Sequence, residues 1–261
     1  MDLDFSNEGE VEVTMISYLK ETIKGFPEEI TGTATTPASL FLFNVNENAE
    51  KLNAKDVKDF HTAVAKLLFV IKRARGDIIT AVSFLSTRVK GPDVDDWKKL
   101  VRLLKYVNGT IDMRLTLSTD NSNILKWWAD GSFAVHADMK SQAGGTFSMG
   151  KGSILNISTK QKLVTRSSTE AELVAANDIM PQLLWTKYFL ECQGYNIVAN
   201  QLYQDNLSAI LLEKNGKWSS SKRTKHINIR FFFIKDRIDA KDLGVYHCPT
   251  DNMTADFHTK A

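Results

Sequence analysis

The sequence predicts an α/β protein in which a mixed sheet flanked by helices follows a small, mostly helical subdomain. Three observations carry this. Apolar residues recur at helical spacing through three consecutive segments between residues 51 and 110. Near residue 111 the pattern changes to short runs separated by glycine turns. From residue 121 the order reads three strands, helix, strand, helices, strand and helix. That is the order of a hairpin sheet extended by crossover connections.

The elements follow in turn. Residues 1–50 alternate in "EVEVTMISYL", which predicts a short strand and then a helix near Ile16–Gly25, before a linker rich in small polar residues that ends near Lys51. "DVKDFHTAVAKLLFVIKRA" and "DIITAVSFLSTRVK" are helical. "GPDVDDWKKLVRLLKYVNG" has proline near its start and glycine at its end, the asymmetry of a bounded helix. This cluster brings few polar residues to one point and reads as a packing or guiding module. "IDMRLTLS" and "NILKWWADGS" are short strands, with "AGGTFSMGKG" and "SILNISTKQK" as two more. A helix bent at Pro181 follows, then the strand "NQLYQDN", the short helix "LSAILLEKN", a long helix "RTKHINIRFFFIKDRI", the strand "DLGVYHCP" and a terminal helix start in "NMTADFHTKA". Of the paired tryptophans, Trp127 and Trp128, one is expected in the core and the other under the upstream helices.

Composition narrows the function classes. The chain of 261 residues, 43% apolar and 25% charged, is of ordinary globular make-up. No apolar run approaches the ~18 residues of a membrane span. The acidic start "MDLDFSNEGEVEV" is unlike a secretory signal. Cys192 and Cys248 lie far apart, which predicts a reduced, intracellular setting. Residues 1–120 carry 16 Lys and Arg against 18 Asp and Glu, and residues 121–261 carry 17 against 13. The basic excess concentrates in Lys214–Arg237, with eight Lys and Arg and one acid. Such a segment suits an anionic partner, with Lys222, Arg223, Lys225, His226 and Arg230 as candidate phosphate contacts. It equally suits a solvated helix face with Phe231, Phe232, Phe233 and Ile234 turned inward.

The acids hold the stronger signal. In "TRSSTEAELVAANDIMPQLLW", Glu170 stands at capping-box spacing from Ser167, so a structural role suffices for it. Glu172 lines up with Ala175, Ala176, Ile179 and Leu183 on the apolar stripe, where a carboxylate is costly unless it is paired. Asp130 closes one strand and Asp205 another, and neighbouring strands would bring them together. Asp256 falls in the first turns of the last helix. A lone aspartate after a strand is commonly a turn residue or a cap, and Asp138, Asp178 and Asp251 are read so. Four carboxylates meeting at one sheet edge need cations, since mutual repulsion otherwise protonates some of them. Magnesium, with its oxygen ligands and retained waters, answers that need and serves phosphodiester hydrolysis.

The motifs "SSTEAEL", "YQDNLSAI", "RTKHINI" and "TADFHTK", in this order and spacing, resemble the ribonuclease H domain of Ty1/copia-type retrotransposon polyproteins. Upstream, "TAVAKLLFVIKRARGDIITAVSFLS", "DDWKKLVRLLKYVNGT" and "STKQKLVTRSSTEAEL" resemble that family's region after the reverse transcriptase palm. The likeness covers roughly residues 55–261, and residues 1–50 resemble the palm's end more weakly. It implies three parts: the end of the palm and a linker (1–50), a helical thumb and connection region (51–120), and a domain with the ribonuclease H-like mixed five-stranded sheet (121–261). It also implies that Asp130, Glu172, Asp205 and Asp256 are catalytic and hold two Mg²⁺, with Mn²⁺ as a substitute. The substrate implied is the RNA strand of an RNA/DNA hybrid, and the implied protein partner is the upstream palm and fingers. Three departures stand out. Ser132 occupies the second place of the D-x-D common in copia elements. The mobile histidine of some ribonucleases H has no clear counterpart, His247 being placed on a strand. No Y-x-D-D occurs, so polymerisation by this chain alone is not expected. The alternatives are an inactive remnant that binds nucleic acid or supports an absent polymerase, and an integrase-like enzyme. The acid order disfavours the latter, which places its glutamate last.

Overall fold

The computed structural model describes residues 1–216 and 228–260. It separates into two compact units, one built on Met1–Ser118 and the other on Thr119–Thr259. The first contains β1 (Asp2–Asp4), β2 (Glu10–Thr14), α1 (Ile16–Lys24), α2 (Ala54–Ile71), α3 (Ile79–Arg88), α4 (Val94–Gly109) and β3 (Leu115–Thr119). β2 pairs antiparallel with both β1 and β3. The strand expected after residue 111 thus begins at Leu115 and belongs with the N-terminal hairpin, not with the larger sheet. Local pattern does not reveal a partner so far upstream.

The helices of this unit pack as their periodicity predicts. Phe60, Val64 and Leu67 of α2 and Leu100, Leu103 and Leu104 of α4 are fully buried. Arg75 is buried with them, its guanidinium donating to both Asp77 oxygens at 2.9 and 2.8 Å and to the Thr110 carbonyl at 3.0 Å. α4 starts with a reciprocal cap. The Asp93 side chain accepts from the Asp95 and Asp96 amides, and Asp96 accepts from the Asp93 amide. Arg88 reaches across to bond both carboxylates, at 3.0 Å to Asp93 and 2.9 Å to Asp96.

The second unit contains β4 (Ile124–Ser132), β5 (Gln142–Ser148), β6 (Gly150–Lys151), β7 (Leu155–Lys160), α5 (Ser168–Cys192), β8 (Ala199–Gln204), α6 (Leu207–Asn215), α7 (Asn228–Asp239) and β9 (Gly244–His247). Its sheet runs β7-β5-β4-β8-β9. β5 is antiparallel to β4 and β7, while β8 is parallel to β4 and β9. This is the mixed five-stranded sheet that the resemblance implies. Leu125, Trp127 and Ala129 of β4 face α5, in a core shared with Leu173, Ala176, Ile179 and Leu183. Trp128 lies on the opposite face, stacked on Tyr203 with ring centroids 5.4 Å apart and covered by Cys248, Met253 and Ala255. Within its own unit its cover thus comes from the C-terminal segment.

Three further expectations change. The last element is not an α-helix but two 3-10 turns, Thr250–Asn252 and Thr254–His258, the second packed on β4, β5 and β7. α5 is one 25-residue helix that contains Pro181, and in place of a one-sided apolar stripe residues 170–176 are all buried, because it packs against the sheet, α6 and α7. In α7, Ile234 is buried and Phe232 packs on the core, but Phe233 is turned partly outward, with the Arg237 guanidinium 5.8 Å from its ring centroid. No helix among the described residues is long and apolar enough to cross a membrane.

Candidate metal centre

β4 and β8 place two of the acids. Their parallel register aligns Trp128 with Tyr203, and carrying it two residues further aligns Asp130 with Asp205 on the same face of the sheet. Glu172 arrives from the other side. Gly131 permits this, since a Cβ there would lie 2.6 Å from the Ala171 carbonyl, so only glycine lets the start of α5 close on the strand. At that helix start, Ser167 accepts from the Glu170 amide at 3.2 Å. Glu170 reaches back 2.8 Å to the Arg166 amide, one residue before the expected cap partner, because either amide lies within reach of a carboxylate folded over the first turn. Glu170 is thereby committed to the cap.

Asp130, Glu172 and Asp205 offer carboxylate oxygens that all lie within 4.8 Å of one another. Among the described residues this is the group that could hold a metal ion. Glu172 is pushed up to about 10, first by burial and then by the charges of Asp130 and Asp205, while the Gly131 amide pulls the other way. Its Oε2 is buried with no hydrogen-bond partner in the structure. An acceptor held dry among negative groups is what a small divalent cation satisfies. The donor set, all hard oxygens, suits magnesium or manganese better than zinc.

No family model matches the chain. It is 33% identical over 202 residues to the retrovirus-related Pol polyprotein of transposon TNT 1-94 from Nicotiana tabacum, covering 77% of this chain and 15% of that protein. It is 24% identical over 208 residues to the Ty1-JR1 Gag-Pol polyprotein of Saccharomyces cerevisiae, covering 78% of this chain and 12% of that one. The chain belongs to the Ty1/copia retrotransposon Pol family. It spans only these small fractions of the relatives' lengths. Among solved structures, an RNase H1 isolated from compost by a metagenomic approach, LC11-RNase H1, matches at 15% identity with a TM-score of 0.40, over 51% of this chain and 91% of that one.

The fourth expected acid of this Pol segment stands apart. Asp256 is half-buried in the second 3-10 turn and lies outside the cluster of three. The tight turn instead delivers Thr259, whose hydroxyl donates to Asp130 Oδ2. Thr250 likewise donates to Asp205 Oδ2, at 3.0 Å. Neither threonine was singled out from the sequence, since a hydroxyl in a C-terminal turn carries no pattern of its own. Glu213, fully buried on α6, was missed too. Burial pushes it up to about 8, and the Gln204 amide, oriented to donate, lies 2.7 Å from its Oε2.

The basic residues fare differently. Lys222, Arg223, Lys225 and His226 lie outside the described residues. Arg230 is described, and its guanidinium is engaged with Asp178 at 3.2 Å. It ties α7 to α5, so its charge is already partly spent within the fold, and Asp178 is an ion-pair partner rather than a turn residue. His247 is exposed on β9.

Proposed function

We propose that residues 121–261 form a metal-dependent ribonuclease H that hydrolyses the RNA strand of RNA/DNA hybrids, within a reverse transcriptase segment of a Pol polyprotein. Residues 1–50 are then the end of the palm and residues 51–120 the thumb and connection region. The carrying observation is Glu172, a buried carboxylate with one orphaned oxygen, gathered with Asp130 and Asp205 within 4.8 Å.

In this reading Asp130 and Asp205 would be the principal cation ligands and Glu172 would complete the cluster. Asp256, carried on the segment that Thr259 fastens to Asp130, supplies the fourth carboxylate. Two magnesium ions, or manganese in their place, would supply a nucleophilic water and neutralise charge at the leaving oxygen. The chain's own contribution is orientation and dryness. Asp130 and Glu172 are buried, so their charges act at low dielectric, and the glycine at 131 keeps the strand and helix close enough for both to face one point. Without a cation, Glu172 keeps its proton at neutral pH. Lys222, Arg223, Lys225 and His226 contact hybrid phosphates, and Arg230 braces α7 through Asp178. Such contacts position a substrate without reading its sequence. The chain contains no Y-x-D-D, so no polymerisation is assigned to these residues. The setting is intracellular.

The test is cleavage of an end-labelled RNA/DNA hybrid in Mg²⁺, with duplex DNA, duplex RNA and Asp205→Asn as controls. Cleavage confined to the RNA strand of the hybrid and lost in the variant is expected. Hybrid binding without cleavage in Mg²⁺ or Mn²⁺ would overturn the enzymatic reading in favour of an inactive remnant that binds nucleic acid.

A further inference from the structure

We propose that Thr259 is a positioning residue for Asp130, fixing the orientation in which that carboxylate meets a divalent cation. The inference rests on the ribonuclease H reading and extends it to a residue outside the acids. Thr259 is fully buried, and its Oγ1 has two acceptors within reach: Asp130 Oδ2 in a short contact and the Asp256 carbonyl at 3.3 Å. The nearer acceptor is a carboxylate, and a charge-assisted bond outcompetes a longer neutral one. With Oδ2 held, the Asp130 carboxylate no longer turns freely about its terminal bond, so Glu172 and Asp205 face a group of set orientation.

The fold makes room for this bond. Gly144 pairs with Asp130 across the β4–β5 ladder, so its side-chain position lies on the same face. A Cβ at Gly144 would come within 2.6 Å of Thr259 Cγ2. The space left by this glycine is occupied by the threonine. The segment is also anchored behind the site. Ser158 Oγ donates to the His258 carbonyl at 2.6 Å, and His258 Nε2 lies 2.8 Å from Asn156 Oδ1. Ser158 in turn accepts from Gln142, which is bonded to His136. This buried polar network ends on the residue just before Thr259, which gives it a purpose: holding the hydroxyl in place. Threonine suits the task because its branched side chain is stiff at χ1.

The experiment measures Mn²⁺ affinity on the full chain, by electron paramagnetic resonance of the free ion, and cleavage as a function of Mg²⁺. Thr259→Val keeps the shape and removes the hydroxyl, Thr259→Ser keeps the hydroxyl, and Asp130→Asn is the reference. We expect Thr259→Val to weaken Mn²⁺ binding by about tenfold or more, as loss of a ligand-orienting bond does. Its turnover should fall at low Mg²⁺ and recover at high Mg²⁺ with KM for hybrid unchanged, and Thr259→Ser should stay close to the parent. A purely structural hydroxyl would move none of these at a temperature where the variant is folded. Parental affinity in Thr259→Val, beside its loss in Asp130→Asn, overturns the positioning role alone. No binding by the parent that Asp130→Asn removes overturns the ribonuclease H reading and this inference with it. Should the valine variant lose its far-UV circular dichroism, Thr259→Ala is measured in its place. Failure of both to fold while the serine folds makes the hydroxyl a folding requirement and overturns the proposal.

Discussion

At the start of α4, Asp93 and Asp96 are as deeply buried as Asp130 and Glu172 are at the end of β4 and the start of α5. The first pair is answered from within the chain. Burial pushes Asp93 up, but the Asp96 amide, Arg88 and Lys51 outweigh it and leave the group below the usual carboxylate range. For Asp96 burial wins over Arg88, and the group stays raised. Both carboxylates nevertheless cap a helix and hold a guanidinium. Glu172 meets the opposite surroundings: burial, then two further negative charges, with one amide in its favour. Acids that the fold neutralises itself are structural. An acid cluster that leaves a buried oxygen unanswered offers a place for a cation that the chain itself does not supply.

The largest test of this contrast is functional. Asp130→Asn should lower hybrid cleavage by about a thousandfold or more, since several kcal/mol of charge stabilisation depend on the metal ligands. Hybrid binding, measured by fluorescence anisotropy, should persist. Cleavage surviving within tenfold would remove the acids from the chemistry. Next in size, Arg88→Met should destabilise the first unit by about 3 kcal/mol, because it leaves Asp96 buried without a cation and Asp93 with Lys51 alone. Urea unfolding measures this, and an unchanged midpoint would show that solvent reaches Asp93 and Asp96 after all.

Glu172→Gln should act in the other direction. A carboxyl raised to about 10 binds its proton more tightly folded than unfolded, so its favourable contribution is full below pH 4.5 and declines as pH rises toward 10. In EDTA at pH 8 the glutamine variant should therefore melt several degrees above the parent, and added Mg²⁺ should reverse the order. If the variant melts lower in EDTA, the acids are not in conflict. The smallest effect is expected at Glu213, raised to about 8 by burial with only Gln204 and Lys214 opposing. The parent loses stability between pH 4.5 and 8, and Glu213→Gln should flatten that slope without altering cleavage. A parallel pH profile for the two proteins would place Glu213 in contact with solvent.

Much of this was legible from residues alone, for reasons that also mark where it stopped. Asp130 and Asp205 were visible because strand-end acids on neighbouring strands must converge, and Glu172 because helical periodicity set it on a buried stripe while Glu170 had a cap to serve. Arg230 is a candidate phosphate contact on charge pattern alone, and that pattern says nothing of its ion pair with Asp178, which lies 52 residues upstream. Alternation tells that Trp127 and Trp128 take opposite faces but not that Cys248, Met253 and Ala255 cover the second. The terminal segment reads locally as the start of a helix. Its 3-10 form follows from packing against three strands, a long-range constraint that no local window contains.

The bond between Thr259 and Asp130 spans 129 residues. Contacts so distant along the chain pay a loop-closure cost that shorter-range pairings do not. A refolding chain can pair β4 with β5 and cover them with α5 well before this bond closes. Competence to hold a cation should then trail behind the recovery of secondary structure, so that the carboxylate cluster matures after the sheet and helix around it, and the acquisition of shape and of cation binding are separated in time.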